Sequence, residues 1–170
     1  MSDVILRPIR EADLDQLCQY VTDPEAAGEF EWTGFRDPTS LRRRWEEDGW
    51  LGAEHARLAV ERDGSFAGDV SYRDRSQGVS KATTYEIGIA LLPEHRGRGV
   101  GTIAQRLLVE YLFANTPAHR LEAYTEVDNV AEQRALEKVG FEREGVLRAT
   151  HFRAGAWRDS VLYALLRDRP

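Results

Sequence analysis

The sequence predicts one α+β domain over residues 1–170, built on a mixed, mostly antiparallel central sheet of about seven strands with flanking helices. Strand-like and helix-like segments alternate in the middle of the chain, whereas hairpin patterns lie on both sides of this region. At 170 residues the chain is long enough to bury one hydrophobic core, and neither an internal repeat nor a linker divides it.

The N-terminal part of the chain predicts a short strand and two helices. Residues 4–6 are apolar and suit a strand, and residues 11–21 place apolar side chains at helical spacing. Asp37 and Pro38 are typical of an N-cap and a first helical position, so a second helix starts there. Gly49 is the expected end of this helix.

The next part of the chain predicts an antiparallel hairpin followed by a longer strand. Residues 56–61 and 66–72 flank Asp63 and Gly64, a pair that is typical of a tight hairpin turn. Residues 84–92 alternate as a third strand, which leads into a glycine-rich loop.

The C-terminal part predicts two helices separated by a strand, and then a closing hairpin. Residues 100–112 repeat apolar side chains with the period of a helix, and residues 120–127 suit a strand. The second helix runs from Asn129 to Gly140. Residues 146–153 and 157–166 are expected to pair as an antiparallel hairpin.

Composition excludes several classes of function. The net charge of −6 argues against a nucleic-acid partner, since such domains are usually basic. Cys18 is the only cysteine, so no disulfide forms within the chain, and we expect a reducing, cytoplasmic compartment. No signal peptide or membrane-spanning run is expected. The four histidines are scattered, so no metal site is expected.

The loop before the third predicted helix is rich in glycine and arginine and reads PEHRGRGVGT, residues 93–102. The first turn of a helix offers unpaired N–H groups and a positive dipole end, and glycines let a bulky anion come close. Arg96 and Arg98 would add positive charge. The loop has neither the lysine of a P-loop nor the GxGxxG spacing of a dinucleotide site. It predicts a phosphate site of another kind, and the alternative is a turn without a ligand.

The run Arg96-Gly97-Arg98-Gly99-Val100-Gly101 resembles the pyrophosphate-binding motif of the GNAT superfamily of acyl-CoA-dependent N-acyltransferases. NVAEQRALEKVGFEREGVLR, residues 129–148, is similar to the helix and strand that follow in this family, and the resemblance covers about residues 55–166. The most similar branch contains the ribosomal-protein N-terminal (alanine/serine) acetyltransferases. The resemblance implies the GNAT fold with splayed central strands. It also implies transfer of an acetyl group from acetyl-CoA to a primary amine by direct attack in a ternary complex.

The resemblance also implies where the coenzyme lies. Backbone groups of the strand, after a bulge, would pair with the pantetheine arm, and the Leu91 amide would polarise the thioester. Backbone amides of residues 96–101 would hold the pyrophosphate, and Gly88 and Ala90 leave one face of the strand nearly empty. The expected cofactor-binding residues are Ile89, Ala90, Leu91, Arg96, Gly97, Arg98, Gly99, Val100, Gly101, Thr102 and Asn129.

Two glutamates are the candidates for proton transfer. Glu86 shares a face with the small residues of the strand and is the expected base, with a surface ion pair as the alternative. Glu132 serves as an acid only if its pKa is raised. Asn129 and Glu132 also match a capping box, in which each side chain binds the other residue's backbone N–H.

The acceptor site is expected at the aromatic, acidic connector that carries Phe30, Trp32 and Phe35 beside Glu29 and Glu31, which suits a positively charged amine. The acceptor is either a protein N-terminus or a small molecule such as a polyamine or antibiotic. A catalytically inactive, coenzyme-binding regulatory module is an alternative of another class. The oligomeric state is left open, with a homodimer as one option.

Overall fold

The computed structural model describes residues 3–76 and 83–167, which contain a sheet of seven strands. The strands are β1 (Val4–Pro8), β2 (His55–Arg62), β3 (Ser65–Asp74), β4 (Thr84–Leu91), β5 (Arg120–Glu126), β6 (Glu142–Arg153) and β7 (Ala156–Leu166). Their order across the sheet is β1-β2-β3-β4-β5-β7-β6. Neighbours pair antiparallel except β4 and β5, which are parallel, so the predicted mixed, mostly antiparallel sheet is confirmed.

Helices cover the two faces of this sheet. They are α1 (Leu14–Thr22), α2 (Pro24–Ala27), α3 (Thr39–Asp48), α4 (Val100–Asn115) and α5 (Val130–Val139), with short 3-10 turns over Glu11–Asp13 and Pro93–His95. In the two described segments, no helix has both the length and the apolar character that a bilayer crossing requires.

Helix boundaries in the N-terminal part differ from the prediction for local reasons. The predicted helix over residues 11–21 opens as a 3-10 turn, where the carboxylate of Asp13 accepts the Arg10 N–H at 2.8 Å. α2 was not predicted because four residues are too short to show a helical period. Asp37 caps α3 as expected, since its Oδ1 accepts the Thr39 N–H at 2.9 Å.

The closing hairpin is longer than predicted. β6 begins at Glu142 rather than at residue 146. Two register shifts, between Arg143 and Gly145 and between Leu147 and His151, interrupt its pairing with β7. These irregularities remove the strict alternation by which a strand is recognised in a sequence.

β4 contributes to both hydrophobic layers, as its alternation predicts. Ile87 packs with buried residues of α4 and α5, among them Leu108 and Leu136, on one face of the sheet. Ala90 and the following Leu92 pack on the other face with residues of and around α1, such as Leu17. The sheet is therefore a layer between two separate helical covers, and β4 lies at its centre.

The central strands β4 and β5 separate after a short ladder. They pair from Thr84 with Arg120 to Ile87 with Ala123, and beyond this point β5 continues only as the partner of β7. β4 stays paired with β3 up to Leu91. The predicted splay is present. The predicted bulge is wrong for β4, because its registers with β3 and β5 are both regular, and the strands separate where the β4–β5 ladder ends.

Candidate active site

A cleft of about 530 Å³ opens where β4 and β5 separate. Its walls are β4, the glycine loop with the start of α4, the outer face of α5 and the connector that follows α2. The lining residues are Ala27, Gly28, Glu29, Phe30, Glu31, Ile89, Ala90, Leu91, Arg96, Gly97, Gly99, Gly101, Thr102, Asn129, Ala131, Glu132, Arg134, Ala135 and Lys138. The cleft thus joins most of the residues that the sequence analysis assigned to the coenzyme.

The glycine loop presents the start of α4 to this cleft. Gly97 and Gly99 have left-handed backbones, with φ of 69° and 78°, and a Cβ at either position would point into open space. Within the described residues, no side chain caps the first turn of α4. Its N–H groups and the positive end of its dipole are therefore available to an anion. Val100, by contrast, is buried in the core, and Arg98 does not line the cleft.

Arg96 lines the cleft, but its guanidinium is used elsewhere. It donates to the carbonyl oxygen of Leu91 at 2.8 Å and to that of Ala27 at 3.1 Å, and also to the Ala26 carbonyl. These bonds tie the glycine loop and the end of β4 to the C-terminal end of α2. Nε and Nη2 of Arg96 thus bind the main chain, and a contribution of the Arg96 charge to phosphate binding stays a prediction.

Only half of the predicted capping box forms at the start of α5. The Asn129 side chain accepts the Glu132 N–H at 3.2 Å, as expected. The Asn129 N–H, however, donates to the Glu126 carbonyl at 3.0 Å within the preceding turn, so it is not available to the Glu132 side chain. The Glu132 carboxylate accepts instead from the amide of Gln105, a fully buried residue of α4, at 2.8 Å.

Two carboxyl groups of the cleft hold protons more tightly than usual. Burial raises the pKa of Glu132 to about 7; the bond from Gln105 lowers it, and the nearby Glu31 raises it further. Burial also raises the pKa of Glu31, with the Asp69 carboxyl acting in the same direction and Arg57, Arg96 and Arg36 opposing. Glu132 can therefore give and take a proton near neutral pH, and Glu31 holds its proton more tightly than an exposed glutamate does.

The remaining predicted catalytic residue, Glu86, does not line the cleft. Its carboxylate pairs with Arg73 at 2.8 Å, opposite it on β3, and with Arg75 at 3.3 Å. The alternative of a surface ion pair therefore describes its contacts.

The aromatic residues of the connector also differ in whether they line the cleft. Phe30 lines the cleft, whereas Trp32 and Phe35 do not. Those two rings pack edge to face at 5.1 Å, and Phe35 is 79% exposed. Trp32 and Phe35 thus form an aromatic pair of their own outside the cleft, and Phe30 is the one of the three predicted acceptor residues that the structure brings to it.

Sequence reasoning missed the contribution of α5 beyond its first turn. Ala131 and Ala135 line the cleft from one stripe of this helix, and Arg134 and Lys138 bring positive charge to it. The helical spacing of two alanines and two basic residues was a usable signal, because residues three and four apart share a face.

A smaller cavity of about 100 Å³ lies across β4 from the cleft. Glu31 and Ala90 line both spaces, and the Tyr20 hydroxyl donates to the Ala90 carbonyl at 3.4 Å. Arg57 also lines it and pairs at 3.3 Å with the buried Asp69. Glu31 thus lies between the cleft and a second cavity, which is lined in part by charged side chains.

Comparison with known proteins gives a family match. Residues 3–142 match the model of the acetyltransferase (GNAT) domain. The chain is 34% identical to the probable N-acetyltransferase YjcK of Bacillus subtilis (strain 168) over 128 residues, which cover 75% of this chain and 68% of that protein. It is 33% identical over 105 residues to the putative ribosomal N-acetyltransferase YdaF of the same organism, covering 62% and 56% of the two chains.

A solved structure supports the fold. The spermidine N-acetyltransferase from Vibrio cholerae, in complex with CoA and spermine, aligns with a TM-score of 0.80 over 96% of this chain and 95% of that one. The two sequences are 20% identical, so this similarity concerns the fold alone.

Arg96→Gln should lower the free energy of unfolding by about 1–2 kcal/mol, because the shorter amide cannot reach all three carbonyl groups. Arg98→Gln is the matched control, since it removes the same charge from a side chain outside the cleft lining, and it should stay within about 0.5 kcal/mol. Urea unfolding of the three proteins measures both values. Equal losses in the two variants would show that Arg96 acts through its charge and not through these bonds.

Proposed function

Because the chain belongs to the GNAT acetyltransferase family, it is an acyl-CoA-dependent N-acetyltransferase, and we propose that its acceptor is a primary amine on a positively charged molecule. The observation that supports this acceptor is the wall of the cleft formed by Glu29, Phe30 and Glu31. Two acidic side chains on one wall attract an ammonium group. A small amine with more than one positive charge, of the polyamine class, fits this wall best.

The coenzyme is proposed to bind on the opposite side of the cleft. The pyrophosphate suits the free N–H groups at the start of α4, where Gly97 and Gly99 leave room for it. Arg134 and Lys138 supply positive charge to the coenzyme phosphates. The pantetheine arm suits the edge of β4 from Ile89 to Leu91, which β5 leaves unpaired, because an extended amide chain can bind a strand edge as another strand does.

Bound acetyl-CoA would supply the activated acetyl group. The reaction requires a proton to leave the amine and a proton to reach the departing sulfur. We assign the first role to Glu31, which lies in the acceptor wall, and the second to Glu132, whose pKa of about 7 lets it carry a proton at neutral pH. Glu86 is not included, because its carboxylate pairs with Arg73 and Arg75 and does not line the cleft.

A protein N-terminus is the second candidate acceptor. It is supported by the similarity to the putative ribosomal N-acetyltransferase YdaF. An N-terminal α-amine carries one positive charge at neutral pH, so it would use one of the two carboxylates of the wall rather than both. The number of positive charges on the preferred acceptor therefore separates the two candidates.

Release of free thiol from acetyl-CoA should be fastest with spermidine or spermine, slower with a peptide bearing an N-terminal serine or alanine, and absent with the same peptide acetylated at its N-terminus. The reason is the pair of carboxylates in the acceptor wall. A higher kcat/KM for the peptide than for every polyamine would favour the second candidate. Tight CoA binding with no thiol release from any amine would support the inactive regulatory module.

Gly101→Leu should weaken CoA binding by at least about 100-fold, because a Cβ at this position already lies 3.5 Å from Leu91 and 3.6 Å from Ile89, so the longer side chain extends into the cleft. Gly101→Ala is the control, as its methyl group fits at ordinary contact distance and alanine favours the helix over glycine. Isothermal titration with CoA and thermal unfolding measure the two effects. Unchanged CoA affinity in a folded Gly101→Leu protein would contradict the proposed coenzyme site.

The kcat of the parent should fall as pH rises through about 7, where Glu132 loses its proton, and Glu132→Gln should remove this fall and lower kcat by about 100-fold. The same substitution, although it lowers kcat, should raise the stability of the folded protein at high pH. The folded-state pKa lies above the ordinary value of 4.5, so the folded protein loses stability as pH rises from about 4.5 to 7. Glu132→Gln should therefore be more stable than the parent at pH 8, by about 1–3 kcal/mol, with no such gain at pH 4.

Glu86→Gln is the matched control for this prediction, because it makes the same chemical change outside the cleft. Its kcat and pH profile should equal those of the parent. A large loss of kcat in Glu86→Gln together with a parental profile in Glu132→Gln would return the catalytic role to Glu86.

A further inference from the structure

A buried ion-paired cluster lies at the end of β5, beside the cleft. Glu126 is 5% exposed, and its carboxylate accepts two bonds from Arg153, at 2.5 Å from Nε and 2.7 Å from Nη2. The His151 ring adds a contact of 2.7 Å to the same carboxylate. The bonds from Arg153 lower the pKa of Glu126 to about 2, against the effect of burial and with the help of His151. The Glu126 carboxylate is therefore charged at neutral pH, and its two bonds to Arg153 fix the geometry of this pair.

Arg153 reaches from this cluster to the acceptor wall. Its guanidinium carbon lies 5.3 Å from the centre of the Phe30 ring, within the range of a cation–π contact. Its Nη1 lies 3.8 Å from the Glu29 carboxylate. Arg153 itself is 7% exposed, so its position is determined by these partners and not by solvent.

Glu126 connects the same cluster to the coenzyme wall through its main chain. Its carbonyl oxygen accepts the Asn129 N–H at 3.0 Å and the Gln133 side-chain amide at 3.3 Å. Asn129 lines the cleft at the start of α5. The cluster thus contacts both the acceptor wall and the coenzyme wall, which are far apart in the sequence. Arg153, which joins them, belongs to β6 and not to α2 or α5.

We propose that Arg153 is a positioning residue for the acceptor, which holds Phe30 and Glu29 at a fixed distance from the coenzyme wall through its bidentate bond to Glu126. This inference rests on the proposed function, in which that wall receives the amine. It also assigns different roles to the two acidic residues. Glu29 is partly neutralised by Arg153 and serves to hold the wall, so the reacting ammonium group binds at Glu31.

Arg153→Lys tests the proposal, because lysine keeps the charge but loses the planar fork that binds Glu126 in two places and stacks on Phe30. The KM for the amine should rise about 10-fold or more, whereas the CoA dissociation constant should change by less than about 2-fold. Arg148→Lys is the matched control on the same strand. Its side chain is exposed, and both constants should equal those of the parent.

Glu126→Gln provides a second variant should Arg153→Lys fail to fold. It removes the charge of the partner and keeps its shape, so the amine KM should again rise with little change in CoA affinity. A double-mutant cycle of Arg153→Lys with Glu126→Gln should give a combined effect on the amine KM smaller than the product of the two, since both act through one contact.

Three outcomes overturn the inference. The first is an unchanged amine KM in a folded variant of lowered stability, which would make the cluster purely structural. The second is an equal rise in the amine KM and the CoA dissociation constant, and the third is independent effects in the cycle. Failure of the proposed function is distinct, because the parent protein itself would then turn over no cationic amine.

Discussion

The early end of the ladder between β4 and β5 is the constraint on which the rest of the structure depends. β4 keeps its bonds to β3 up to Leu91, but β5 follows β7 from Tyr124 onwards and leaves one edge of β4 unpaired. An unpaired strand edge inside a domain must find other hydrogen-bond partners. We propose that the coenzyme meets this requirement, since its amide-bearing arm can complete the edge. The glycine loop and α4 follow directly from the end of β4, so the proposed anion site lies close to that edge.

Proton transfer depends on a second physical effect, the cost of burying charge. Glu132 is held between the buried Gln105 and a second carboxyl, Glu31, and this environment disfavours its ionised form. A carboxyl group whose protonated form is favoured by burial is typical of residues that transfer protons in a reaction. Glu126 shows the opposite effect, because its bonds from Arg153 lower its pKa and keep its carboxylate charged.

The sequence was sufficient to predict features that depend on local spacing. The two faces of β4, the glycine loop at the start of α4 and the turn at Asp63 and Gly64 all follow from short patterns, and the structure contains each of them. The roles of individual polar side chains were harder to predict, because they depend on contacts between distant parts of the chain. Arg96 binds a carbonyl 70 residues away, and Glu132 meets an amide 27 residues away.

Cross-strand register and a competing hydrogen-bond acceptor explain the remaining differences between prediction and structure. Glu86 stands opposite Arg73 only because β3 and β4 pair in one particular register, which the sequence of either strand leaves open. The capping box was half correct because the Asn129 N–H had a second acceptor in the turn that links β5 to α5. Both cases show that a side chain with two plausible partners cannot be assigned from sequence when the competitor belongs to another element.

Specificity and coenzyme binding are separable in this architecture because different forces hold the two walls. The proposed coenzyme wall combines main-chain groups of β4 and the glycine loop, whose positions follow from the sheet, with the side chains of Arg134 and Lys138 on α5. The acceptor wall is a connector held by side chains: Arg96 binds the carbonyl groups at the end of α2, and Arg153 contacts Phe30 and Glu29. Substitutions in such a connector can change the amine that is recognised without disturbing the thioester. A cleft of this design can therefore keep its chemistry constant while its acceptor varies, and we propose that the side chains that fix the connector select the amine that reaches Glu31.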